Sequence, residues 1–98
     1  MKKLEPIHPG EILLEEFLLP MNISRSQIAE DTGISLAEIE NIIEGKSPVT
    51  PNAALRLSLY FGLSERFWLN LQSRYDLETE KDKVADNLKK EVRILQAA

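Results

Sequence analysis

Two serines set the frame. Ser24 is followed three places later by Gln27, and Ser35 three places later by Glu38. At that spacing a hydroxyl takes an unpaired N–H of a helix's first turn while the amide or carboxylate returns the bond. Helix starts only eleven residues apart leave room for two turns of helix and a sharp reversal. Gly33 marks that reversal, because such a turn needs a positive φ, which glycine adopts readily. The spacing therefore predicts one helix from Arg25 to about Asp31 and another from the Ser35 cap up to Gly45, a glycine placed to stop it.

The same punctuation runs along the rest of the chain, and no stretch alternates with period two long enough to make a strand. A first helix is expected from Pro9, at a position where its missing N–H is harmless, to about Leu18, with His8 as its cap and Pro20 beyond its end. Thr50 and Pro51 open a fourth helix that carries Ala54, Leu55, Leu57, Leu59 and Tyr60 to Phe61, with Gly62 as its terminator. Ser64 caps a fifth, on which Phe67, Trp68 and Leu71 share a face; Trp68 and Phe67 read as core packing. From Leu77 the chain turns polar, and Val84, Leu88, Val92 and Leu95 form a narrow stripe on a charged tail helix, suited to a lid or a dimer contact, with fraying at Gln96-Ala97-Ala98 as the plainer outcome. The fold class is thus all-α, with residues 1–76 as one domain and 77–98 as a helical tail.

Within the second and third helices the residue sizes are those of two helices crossing steeply over a tight turn. Ala29 is small where the helices pass, Ile39 and Ile42 form the wedge between them, and Ile28 and Ile34 complete the seam. This is a helix-turn-helix, whose second helix can enter the major groove of DNA.

At this point the chain resembles a known family. Residues 24–46 are similar to the phage-repressor-type (XRE) helix-turn-helix. The His8-Pro9-Gly10-Glu11-Ile12-Leu13 opening, Gly45-Lys46, Ala54-Leu55-Arg56-Leu57, and Phe67-Trp68-Leu69-Asn70-Leu71-Gln72 followed by Tyr75-Asp76-Leu77 resemble the HigA/VapI antitoxins over about residues 7–77. The resemblance implies a five-helix repressor-like domain with an additional C-terminal helix. It also implies a homodimer that represses its own operon on a palindromic operator in double-stranded DNA and neutralises a small basic RelE-like toxin that cleaves mRNA.

Placed on that geometry, Ser35, Leu36, Ala37 and, one turn later, Asn41 face the bases. Asn41 can read adenine through paired hydrogen bonds, and Leu36 or Ala37 can touch a thymine methyl. Arg25, Lys46 and Ser47 are placed to hold phosphates. Dimer contacts are expected from the tail stripe, the first helix or the fifth, with no ranking among them.

Charge cuts across this reading. The chain carries a net charge of −4, and between residues 24 and 47 Arg25 and Lys46 face Glu30, Asp31, Glu38, Glu40 and Glu44, a local net of −3. Phosphate neutralisation supplies most non-specific affinity, so DNA binding should be weak with a shallow salt dependence. The alternatives are an antitoxin or adaptor that works by protein contacts with little operator affinity, or a stand-alone small repressor. An enzyme is not expected: there is no glycine-rich phosphate loop and no nucleophile with an identifiable base. Neither a metal nor a cofactor is expected, since the single histidine and the lack of cysteine leave no ligand set. Met1-Lys2-Lys3-Leu4-Glu5-Pro6 is unlike a signal peptide, and no run approaches the ~18 apolar residues of a membrane span, so a cytoplasmic location with no membrane contact is expected.

Overall fold

Each helix begins where a short polar side chain can close its first turn. The computed structural model describes residues 5–96. Its helices are α1 (Pro9–Ile12), which widens directly into a π-helical segment over Leu13–Leu18, then α2 (Arg25–Thr32), α3 (Leu36–Ile43), α4 (Pro51–Phe61) and α5 (Glu65–Glu91). No strand occurs among the described residues. Ser24, Ser35 and Thr50 accept from the N–H groups of Gln27, Glu38 and Ala53 at 3.0, 3.1 and 3.1 Å, and His8 Nδ1 accepts from Gly10 N at 2.9 Å. Only this half of each expected capping box forms. Gln27 turns its amide one turn forward and donates from Nε2 to the Asp31 carboxylate at 2.8 Å, a charge-assisted bond that points the side chain away from the Ser24 N–H.

The π-helical segment was not legible in the sequence. Leu13 and Leu18 are both fully buried, yet five residues on an ordinary α-helix separate side chains by about 140°. The wider turn brings both to one side, and its longer reach appears in the bond from Leu19 N to Leu14 O at 2.9 Å.

The core lies where α1 with its π-helical continuation, α2, α3, α4 and the first half of α5 converge, and Leu13, Ile28, Ile39, Ile42, Leu57 and Trp68 are fully buried in it. The Trp68 ring sits 5.2 Å from Phe17, 5.1 Å from Phe67 and 6.1 Å from Phe61, which places it in the core as expected, with Phe67 on the rim. Gly10 is required for another reason: a Cβ there would run into the Ile42 carbonyl, so α1 approaches the end of α3 backbone to backbone.

The fifth helix and the tail helix are one element. No proline or glycine interrupts Leu77-Glu78-Thr79-Glu80, so the polar shift changes burial without breaking the helix, and the expected boundary at residue 76 falls inside α5. The apolar stripe, in contrast, ends early. Val92 takes extended dihedrals (φ −98°, ψ 123°) and is 61% exposed, and Leu95 beyond it is 93% exposed, so the two are not on a helical face with Val84 and Leu88. Mostly exposed, β-branched Val92 gains little from packing that would offset its lower helix propensity. The molecule is accordingly long, 56 × 32 × 21 Å. Of the described residues, no helix is long and apolar enough to cross a membrane. Ala97 and Ala98 lie outside the described residues.

Candidate nucleic-acid interface

Gly33 has φ 76° and ψ 8°, the left-handed conformation the turn requires. The residues around it satisfy both N–H groups of the reversal, at Gly33 and Ile34. Gly33 N bonds Ala29 O at 3.0 Å, Thr32 Oγ1 donates to Ile28 O at 2.6 Å, and Ile34 N donates to that same hydroxyl at 3.2 Å. With Ile34 buried, the chain is aimed directly at the Ser35 cap.

α3 is divided lengthwise. Ile39 and Ile42 are fully buried against α1 and α2, while Ser35, Leu36, Ala37 and Asn41 face solvent, Leu36 at 41% exposure. The four residues expected to face bases are thus brought to one open side. Past the helix, Lys46 N and Ser47 N both bond the Asn41 carbonyl, at 2.8 and 3.2 Å, which folds the loop back onto α3. Lys46 is exposed and Ser47 half-buried.

The two cations expected at phosphates are not electrostatically independent. Lys46 Nζ lies 2.9 Å from Glu44 Oε2. The hydrogen bond from Lys46 and its charge, with a smaller contribution from Arg25, hold the Glu44 carboxyl below its usual range. Arg25, Glu44 and Lys46 therefore form one neighbourhood at the edge of α3, and the local deficit of positive charge noted above sits on the surface.

Sequence reasoning did not find the tethers behind this surface. The Val49 N–H donates to Gln72 Oε1 at 2.7 Å, and Gln72, buried, is steadied by Asp76 at 2.9 Å. The loop carrying Lys46 and Ser47 is thereby fastened to α5. His8 flanks it from the other side: its ring lies beside Gly45 and stacks edge-on against Tyr75 at 4.8 Å. Burial pushes the His8 pKa down, against the raising influence of Asp76 and the Ser47 backbone. The third tether is Arg56, which reaches from α4 to the Thr32 carbonyl at 2.9 Å. Gln72, Tyr75, Asp76 and Arg56 stand in the blocks quoted above for the resemblance, and that was their only signal.

A helix-turn-helix family model matches residues 14–68 of this chain. Virulence-associated protein I of Dichelobacter nodosus is 41% identical over 87 residues, covering 88% of this chain and 81% of that protein. Antitoxin HigA-1 of Vibrio cholerae is 33% identical over 87 residues, 89% and 82% of the two chains. The chain belongs to the HigA-like antitoxins of the helix-turn-helix family. Its fold is theirs as well: the solved structure of Pseudomonas aeruginosa antitoxin HigA with the higBA promoter superposes with a TM-score of 0.90 at 36% identity, over 94% of this chain and all of that one. Within this HigA-like frame, the Phe-Trp-Leu-Asn-Leu-Gln block supplies the core through Trp68 and the loop tether through Gln72, and the His-Pro-Gly-Glu opening supplies the cap and the close approach of α1 to α3.

Proposed function

We propose that this chain is a DNA-binding antitoxin that represses its own operon as a homodimer on a palindromic operator and neutralises a small basic RelE-like mRNA-cleaving toxin. The observation that carries the DNA half is α3 itself. Its inner face is locked by Ile39 and Ile42, and its outer face presents Ser35, Leu36, Ala37 and Asn41 with nothing packed over them. The relative from Pseudomonas aeruginosa, of the same fold, was solved with its promoter. In this reading Asn41 reads adenine and Leu36 and Ala37 meet methyl groups, while Arg25, Lys46 and Ser47 hold phosphates. A net charge of −4 favours a basic protein partner, by the charge complementarity that steers such encounters.

A gel-shift titration with the DNA upstream of the chain's own reading frame tests the first half. A retarded complex of two chains per duplex, absent with random DNA, supports the proposal. No shift at low salt overturns it in favour of a second reading, an antitoxin acting through protein contacts alone, which the acidic residues Glu38, Glu40 and Glu44 along α3 favour. Co-purification with the product of the neighbouring reading frame tests the toxin half.

A further inference from the structure

At the α2–α3 turn the Thr32 carbonyl is taken by one residue that lies outside the helix-turn-helix. Arg56, in the middle of α4, donates from Nη1 to the Thr32 carbonyl at 2.9 Å, and its Nε is held by Asn52 Oδ1 at 2.8 Å. Thr32 is the last residue of α2, and its carbonyl has no later turn of its own helix to bond. A guanidinium there satisfies that carbonyl and meets the negative end of the α2 dipole. Gly33 is fitted to it as well, because a Cβ at Gly33 would lie 2.8 Å from Arg56 Nη1.

We infer that Arg56 is a positioning residue for operator recognition: with Asn52 it clamps the end of α2 and so sets the angle at which α3 presents its reading face. The inference rests on the DNA-binding reading above and assigns its geometry to a residue outside the set expected at bases and phosphates. Asn52 sits on the first turn of α4, directly after the loop that carries Lys46 and Ser47. The clamp therefore joins the segment aimed at bases to the segment aimed at phosphates. An arginine is needed because two directed N–H donors must reach two acceptors on different elements, which a lysine's single ammonium on a flexible stem does not reproduce.

The test compares Arg56→Ala, Arg56→Lys and Asn52→Ala with the parent, all confirmed as folded by circular dichroism, on operator and random duplex at two salt concentrations. Amide exchange of the proteins without DNA is followed in parallel. Both Arg56 variants are expected to lose about tenfold in operator affinity with random-duplex affinity and salt slope unchanged, and Asn52→Ala to move the same way by less. Without DNA, exchange is expected to quicken at Gly33 and Ile34 relative to α4. Operator affinity unchanged in both Arg56 variants reduces the residue to a structural role and overturns the inference. Equal weakening on both duplexes with a flatter salt slope, rescued by lysine, makes Arg56 a phosphate contact and overturns it too. Should the parent bind operator and random DNA alike, the DNA-binding reading fails, and exchange alone then decides the clamp: quickened at the turn it stands, unchanged it falls. If Arg56→Ala does not fold, Arg56→Lys and Asn52→Ala carry the same readouts.

Discussion

α3 and the last turns of α5 are both regular helix, held by different forces. With eight residues, α3 is shorter than the ~12–15 at which an isolated helix becomes even marginal in water. It exists because Ile39 and Ile42 are buried and Ser35 closes its first turn. From Glu80 to Glu91 the position is reversed. Only Val84 is half-buried there among the described residues, and Lys89 and Lys90 are favourably placed at its C-terminal end. Regular secondary structure therefore says little about rigidity in this molecule. The reading helix is anchored by what lies beneath it, whereas α5 beyond Val84 is exposed among the described residues.

That contrast can be broken most directly by truncation. Ile39→Ala is expected to cost about 2–5 kcal/mol in denaturant unfolding, the range for a buried aliphatic, whereas Leu88→Ala is expected to stay within about 0.5 kcal/mol. Comparable losses would show that distal α5 is packed against something in solution, a second copy being the first suspect. Gly33→Val attacks the turn and is expected to cost about 1–3 kcal/mol, through positive φ and through the space taken by Arg56. If it melts like the parent, the reversal has more freedom than its bonds imply.

The reading face itself is sharpened by DNA titrations. Asn41→Ala is expected to lose about 1–3 kcal/mol on operator and little on random duplex, while Lys46→Ala weakens both and flattens the salt slope by about one. Identical behaviour of the two variants would remove the division between base-reading and phosphate-holding residues. Glu38→Gln is expected to act oppositely and tighten binding to random duplex, because a carboxylate repels phosphate over distances of about 10 Å at moderate salt.

The smallest effect concerns pH. Burial lowers the His8 pKa below its ordinary 6.5, so the folded ring stays neutral and its Nδ1 remains available to cap Gly10. As pH falls through that value the unfolded chain takes up its proton first. The contribution is thus full above the ordinary value and is lost as pH drops below it towards the folded pKa. Melting temperatures at about pH 7.5 and about pH 5.5 should therefore diverge more for the parent than for His8→Asn, which can cap without titrating. Parallel losses would assign the pH dependence to other groups.

What could be read from the sequence was whatever depended on neighbours along the chain. The caps at Ser24, Ser35 and Thr50, the terminators Gly33 and Gly62, and the wedge of Ile39 and Ile42 are local signals, and each stands where its spacing placed it. The continuity of α5 was legible in principle, since Leu77-Glu78-Thr79-Glu80 holds no breaker, but a shift to polar residues reads equally as an ending. Contacts over long separations were not legible. Nothing near Val49 announces Gln72, and nothing near Thr32 announces Arg56, because a side chain's hydrogen-bond partner across 23 or 24 residues is set by the fold. The π-helical segment belongs with them, since the core decides which leucines must share a face.

The burial of Trp68 has one further use. It is the chain's single tryptophan, ringed by Phe17, Phe61 and Phe67, and its indole N–H is buried with no hydrogen-bond partner among the described residues. A fluorophore in so apolar a setting emits at short wavelength and shifts to the red when water reaches it, so its emission reports on the core alone. Far-ultraviolet ellipticity weighs all helices by length and sees the exposed end of α5 as well. Followed together through a denaturant series, coincident curves would mean that distal α5 melts with the core, and ellipticity falling ahead of fluorescence would mean that it melts first.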